Sequence, residues 1–409
     1  RPSSLPVIAQ LMTPEMDNSV RRRRKAAKEI KVKIVERTHG RRGFRKKWQL
    51  LLAIALFLQT MGSLIYYHRL SSSSSDPADL SSLTEEQKEE LRAHEPAIIR
   101  NLTDGTQFLL GRFCDSANDC FTILQRYWWN GEGLTAQRII QYELAESWAL
   151  TMSFLVTPEI VTAHYLDHTR WRVDHARPVW SYNLMQIAAG FMLEGLSFGR
   201  NSSSQPLQQQ RVLQIGMGGG SATGFLSTME LDLHIDVVEL EPAVYEAAKR
   251  WFDFPQSPNI DVHIMDGVVF LRKAVEAGLT FDSLILDTSV NSANATQVCP
   301  HPAFMQEQVM KDMSKVIGNT GVLSVNVFLS DQLKNQEEIA AKFTAYFKSC
   351  SALTITSYGQ KFVVCTNREG FDWARQRQRM FANLAEFDDV IGTRIAPTID
   401  KLNPVISDL

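Results

Sequence analysis

The chain has 409 residues, 44% of them hydrophobic, which excludes a protein too small to fold around a core and allows one large or two modest domains. Its net charge of -2 is not evenly spread, because residues 1–47 hold 15 Lys and Arg against 4 Asp and Glu. The rest of the chain is therefore acidic, and the two ends suit different surroundings.

Residues 48–67 form an uncharged apolar run between Arg45-Lys46-Lys47 and His68-Arg69, with Trp48, Tyr66 and Tyr67 at its ends. Twenty helical residues at ~1.5 Å each cover ~30 Å, the hydrocarbon thickness of a bilayer, and aromatic residues favour its interfaces. The sequence thus predicts a transmembrane signal-anchor at 48–67. By the positive-inside rule its basic tail, residues 1–47, lies in the cytoplasm and the larger C-terminal part in a lumen or outside the cell. Beside such a segment the tail has anionic lipid headgroups as its simplest partner, ahead of nucleic acid. Asn101, Asn201 and Asn294 each begin a glycosylation triplet, and all five cysteines follow the apolar run. The cysteines are compatible with pairs such as Cys114 with Cys120 or with reduced thiols.

Residues 68–96 read as a Ser-rich and acidic linker ending in a short helix, with Ser82 and Glu85, or Thr84 and Gln87, as a capping box. Residues 97–173 alternate short apolar runs with turn signals and are expected to form a small, mainly β subdomain. Helical periodicity covers 180–195, and a polar loop follows. From 212 onward strands (212–215, 235–240, 262–265, 281–286, 322–328) alternate with helices (221–229, 243–251, 268–277, 336–347), closed by strands at 353–356 and 361–365. This predicts an α/β fold with a doubly wound, Rossmann-like parallel sheet over residues 174–366, followed by a helical tail at 367–409.

In such sheets ligands bind beyond the carboxyl ends of the strands. Four glycines, Gly216, Gly218, Gly219 and Gly220, follow the first strand there, and Glu239, Asp266 and Asp287 end the next three. No Lys-Ser/Thr follows the glycines, so they are not a phosphate-cradling P-loop, and the strict dinucleotide spacing is missed at Ser221. A ligand without phosphate fits, and S-adenosylmethionine is one. Gly216, Gly218 and Gly220 would let it approach the backbone, Glu239 would accept from both ribose hydroxyls and Asp266 from the adenine amine. The plainer alternative is that each carboxylate caps the helix after it. No metal-ligand pattern stands out. His301 is a candidate base, although a single His in a Pro-rich loop is commonly structural.

The runs Gly216-Met217-Gly218-Gly219-Gly220-Ser221, Trp251-Phe252 with Phe254, Gln256 and Ser257, Val262 to Gly267, and Cys299-Pro300-His301-Pro302-Ala303-Phe304 carry a resemblance. They resemble the C-terminal methyltransferase domain of the methyltransferase-like protein 13 family, itself similar in fold to spermidine synthases. The resemblance implies a seven-stranded methyltransferase sheet and an S-adenosylmethionine site formed by Gly216, Gly218, Gly220, Glu239, Asp266 and Asp287. It also implies Asp287 as the catalytic acid and a protein amine as acceptor, as in family members that methylate elongation factor 1-alpha. The chain departs from the family after Asp287, where Ser289 and Ser292 replace two further acids. Val290 falls where spermidine synthases carry the acid that activates their amine, which argues against aminopropyl transfer. The departure leaves a second expectation open: a non-catalytic domain that binds a nucleoside or a partner.

Overall fold

The computed structural model describes residues 80, 83–105, 107–143, 149–178, 181–199, 209–290, 297–329, 336–355, 360–393, 395 and 402–403. The single-pass membrane location expected from the sequence is contradicted: among the described residues no helix is long and apolar enough to cross a membrane. The 48–67 run and the basic tail, on which that location and the lipid partner rested, lie outside the described residues.

Contacts divide the chain into two compact units, Arg1–Asn101 with Pro158–Arg170, and Leu102–Thr157 with Trp171–Leu409. In the first, helix α1 (Glu85–Leu102) starts from a reciprocal capping box: Thr84 N donates to Gln87 Oε1 at 2.9 Å and Gln87 N to Thr84 Oγ1 at 3.3 Å. The helix runs through Pro96 and is longer than expected. Its Glu95 accepts from Val161 N at 2.7 Å, joining the two segments of this unit.

The second unit holds two sheets. Strands β1 (Phe108–Cys114), β2 (Cys120–Trp129), β3 (Leu134–Tyr142), β4 (Ala149–Leu155) and β5 (Val173–Pro178) form an antiparallel sheet in that order. Cys114 and Cys120 face each other across the first hairpin and are bonded as a disulfide. Helix α2 (Ser181–Met192) leads to β6 (Gln210–Ile215), α3 (Ser221–Ser227), β7 (Leu233–Glu239), α4 (Pro242–Trp251), β8 (Ile260–Ile264), α5 (Gly267–Glu276) and β9 (Ser283–Leu286). Then come β10 (Gln297–Cys299), α6 (Glu307–Val316), β11 (Val322–Leu329), α7 (Gln336–Thr344), β12 (Ser349–Ile355), β13 (Gln360–Thr366), α8 (Trp373–Ile391) and β14 (Leu402–Asn403).

The large sheet runs β14-β12-β13-β11-β9-β6-β7-β8, with β10 paired to β11. Strands β8, β7, β6, β9 and β11 are mutually parallel, and β13 is inserted antiparallel. Winding starts at β6 and proceeds outward on both sides, so the switch point lies between β6 and β9. Alternation along each buried strand feeds two helix layers. Val212, Ile235, Val237 and Ile285 join α2, α3 and α8 in one cluster. Leu213, Ile215, Val238 and Leu284 join α5, α6 and α7 in the other. A second disulfide, Cys350–Cys365, staples β12 to β13, while Cys299 is a buried free thiol.

The two sheets are tied by Arg138 of β3, which donates to Gln125 Oε1 at 2.8 Å, Trp171 O at 3.0 Å and Trp251 O at 2.5 Å. The last of these is the C-terminal residue of α4, where a cation is favoured. Burial pushes the Arg138 guanidinium down to about 10, still charged at neutral pH.

Midway along β7, buried Asp236 (4% exposed) receives Arg211 Nη2 at 2.7 Å and His263 Nε2 at 2.9 Å, with His234 Nε2 at 3.6 Å. His234 also meets Asp261 at 3.2 Å, which makes this trio the one grouping among the described residues with metal-ligand proximity. Arg211 already neutralises Asp236, so the grouping reads as an ion-pair network. Breaking a buried pair from one side leaves its partner uncompensated. Asp236→Ala is expected to destabilise the fold by about 3 kcal/mol, read as a lowered urea midpoint at unchanged slope.

Candidate functional site

The carboxyl ends of β6, β7, β8 and β9 bring the expected residues to one edge. Asp287 N donates to Ile215 O at 3.0 Å, Gly216 N to Val238 O at 2.9 Å and Met265 N to Glu239 O at 2.9 Å, so each strand end is laced to its neighbour. Around that edge stand the glycine loop, Glu239, Asp266 and Asp287.

Glu239 is 8% exposed, and both of its carboxylate oxygens are anchored by backbone: Oε2 accepts from Met217 N at 3.0 Å and Oε1 from Glu241 N at 2.9 Å. Burial raises its pKa above the ordinary carboxyl value, and the backbone donors of Glu241, Met217 and Leu240 oppose that rise. A carboxylate has about four lone-pair positions, so acceptor capacity remains for a diol.

The glycines answer to a different constraint from the one expected. Gly216, Gly218 and Gly220 have φ of 85°, 54° and 80°, a left-handed region that favours glycine. The space a side chain would need is filled by the protein itself. A Cβ on Gly216 would lie 2.2 Å from Asp287 O, on Gly218 2.5 Å from Thr151 Oγ1, and on Gly220 2.3 Å from Phe254. These contacts alone demand glycine, before any ligand is considered. The loop's N–H groups are also used internally: Gly219 N donates to Thr151 Oγ1 at 2.7 Å and Gly220 N to Met217 O at 2.9 Å. A phosphate cradle needs such groups pointing outward.

Asp266 is the N-cap of α5 and accepts from Val268 N at 2.7 Å, the helix-capping role weighed from sequence. It is exposed, so its remaining lone pairs face solvent. Ile264, in register with Glu239, and Leu240, 61% exposed, place apolar surface on the same rim.

Asp287 lies at the end of β9. Its Oδ1 accepts from Asn326 Nδ2 of β11 at 2.9 Å, and its Oδ2 faces Asn183 Nδ2 of α2 at 3.5 Å. Two amides thus orient the carboxylate from adjoining elements. The buried Cys299 thiol is pushed well up by burial, with the Asp287 charge adding to the effect, so it stays protonated and is no nucleophile. His301 is near in the chain, bonded through its N to Thr288 O at 3.1 Å, yet its Nδ1 accepts from Ala303 N and caps the turn Pro302–Met305. That nitrogen is occupied as a cap and unavailable as a base.

Sequence reasoning missed Thr151, Asn183, Asn326 and Ser116. Each is an unremarkable polar residue whose role comes from a partner 39 to 125 positions away.

No family model matches the chain. It is 30% identical over 141 residues to the eEF1A lysine and N-terminal methyltransferase of Xenopus laevis, covering 34% of this chain and 20% of that protein. The Homo sapiens protein of the same name is 29% identical over 159 residues, 38% of this chain and 23% of its own length. The polyamine aminopropyltransferase of Vibrio vulnificus is 31% identical over 128 residues, 31% and 41%. The chain therefore spans about a fifth of the length of the methyltransferase relatives it matches. Among solved structures, human methyltransferase-like protein 13 in complex with SAH has a TM-score of 0.46 at 22% identity, covering 53% of this chain and 94% of that one. The resemblance read from the glycine loop and its acidic neighbours is borne out by these curated relatives: over the matched stretch, the chain is similar in sequence to the methyltransferase-like protein 13 family.

Proposed function

We propose that this chain is an S-adenosylmethionine-dependent methyltransferase whose acceptor is a protein amine, with residues 174–366 as its cofactor domain and 97–173 as a small, mainly β subdomain preceding it in the chain. The observation that carries the reading is Glu239. It is a buried carboxylate beside a left-handed glycine loop, held by two backbone donors and retaining lone pairs for a diol.

S-adenosylmethionine supplies an electrophilic methyl group when bound. Glu239 accepts from its ribose hydroxyls, exposed Asp266 from its adenine amine, and Gly216, Gly218 and Gly220 shape the loop that closes the site. Asp287, oriented by Asn326 and Asn183, would accept a hydrogen bond from the acceptor amine and so hold it for transfer. A lysine of pKa ~10.4 is almost wholly protonated at neutral pH, a handicap of ~3 log units, so the amine must release its proton to solvent before transfer, and a fixed carboxylate contributes by orienting it. Alignment of the attacking atom supplies the rest.

One observation favours a second reading, a non-catalytic domain that binds a nucleoside or a partner: Ser289 and Ser292 stand where the family carries acids. Incubation of the full chain with isotopically labelled S-adenosylmethionine and either elongation factor 1-alpha or a lysine-bearing peptide separates the two. Label on the acceptor supports the first reading. Saturable cofactor binding with no transfer to any amine selects the second.

A further inference from the structure

The turn of the first hairpin, residues 115–119, reaches the acidic loop that follows β7. Ser116 N donates to Glu241 Oε2 at 2.9 Å and Ser116 Oγ to Glu241 Oε1 at 2.7 Å, so one residue grips both oxygens of a carboxylate 125 positions away. Glu241 is the N-cap of α4, and its own N–H is the donor that fixes Glu239 Oε1 at 2.9 Å. A continuous chain of hydrogen bonds therefore runs from Ser116 through Glu241 to Glu239.

The turn is built to hold that grip. Asp115 Oδ1 accepts from Ala117 N at 3.0 Å and Asp119 N at 2.8 Å, and Asn118 takes a left-handed φ of 64°. Asp119 in turn accepts from Tyr142 OH of β3 at 2.9 Å. The disulfide Cys114–Cys120 closes the turn at its base. Helix α4 is held at its far end as well, where Arg138 bonds Trp251 O and Gly111 of β1 lies against the Trp251 ring. The antiparallel sheet thus grips α4 at both termini, and a charged acceptor with two donors in fixed geometry is among the stronger polar contacts.

We infer that Ser116, on its disulfide-closed turn, is a positioning residue for the cofactor site: it sets Glu241, and through it Glu239, in the orientation that accepts a ribose diol. The inference rests on the cofactor reading given above. A change of about 1 kcal/mol, the net worth of one ordinary hydrogen bond, corresponds to about a fivefold effect.

The test titrates S-adenosylhomocysteine into the full chain by calorimetry. Ser116→Ala is expected to bind about fivefold more weakly, Ser116→Thr like wild type, and the pair Cys114→Ala with Cys120→Ala more weakly than wild type. In turnover, Ser116→Ala is expected to raise the cofactor KM with kcat unchanged at saturation, whereas a purely structural role would lower the melting temperature and leave affinity alone. Wild-type affinity in Ser116→Ala or in the cysteine pair overturns the inference while the cofactor reading stands. No binding by wild type overturns both.

Discussion

Glu239→Ala is expected to weaken S-adenosylmethionine binding by at least ~100-fold. Two ribose hydrogen bonds to a charged acceptor at ~1.5 kcal/mol each amount to ~3 kcal/mol, and ~1.4 kcal/mol is a factor of ten. The substitution also strips Met217 N and Glu241 N of their acceptor, which loosens the glycine loop and the start of α4. Glu239→Gln keeps the volume but turns one oxygen into a donor facing a backbone N–H, so it too is expected to bind poorly. Calorimetric titration of both variants, with circular dichroism to confirm folding, checks the assignment; an affinity within twofold of wild type would remove Glu239 from the ribose.

The same carboxylate gives a pH signature with opposite signs in two measurements. Burial raises its pKa in the free protein, so the protonated form is favoured on folding. Its contribution to stability is fully present below the ordinary carboxyl range and is lost as pH rises through the raised folded value. Ribose hydroxyls, by contrast, bond the ionised form, so cofactor affinity falls as pH falls through that same value. Thermal melts of the free protein and titrations of the cofactor, run from about pH 4 to about pH 7.5, are expected to shift in opposite directions on account of this group. A flat affinity across that range would contradict the arrangement.

Asp287→Ala is expected to lower kcat by ~10²–10⁴, with cofactor affinity changed much less. The fold offers a clean background for this test, because the contacts that lock the end of β9 are made by backbone. Asp287 N bonds Ile215 O, and Asp287 O lies where a Cβ on Gly216 would be. Neither is lost on truncation, whereas the carboxylate held by Asn326 and Asn183 is. Single-turnover transfer to the amine acceptor separates the chemical step from binding. Full activity in Asp287→Ala would take this residue out of the reaction.

Local features of this protein were legible from sequence because they are set by near neighbours. The capping box Thr84 with Gln87 forms as read, since both bonds span three residues. Strands β6, β7, β8 and β9 lie within two residues of their expected starts and ends, because their apolar runs are bounded by turn signals. Asp266 was open to two readings, and its capping bond to Val268 N is likewise a two-residue event. The helix α6 was not read, although Val309, Met310, Met313 and Val316 carry a helical stripe that is now buried. The apolar run at 48–67, on which the membrane reading rested, lies outside the described residues.

What the sequence determined by itself was the alternation of strands and helices, the glycine-rich loop after β6 and an acid at the end of each following strand, since these depend on periodicity and on residue type at turns. Only the tertiary structure decided why the loop must be glycine, with Asp287 O, Thr151 and Phe254 occupying the side-chain space, and which residues hold Glu239, Glu241 and Asp287 in place. Apart from Glu241 N, which lies two positions from Glu239, those partners lie 22 to 125 positions apart along the chain, and they meet through strand pairing within the large sheet and contacts from the antiparallel one, which no local pattern of residues encodes.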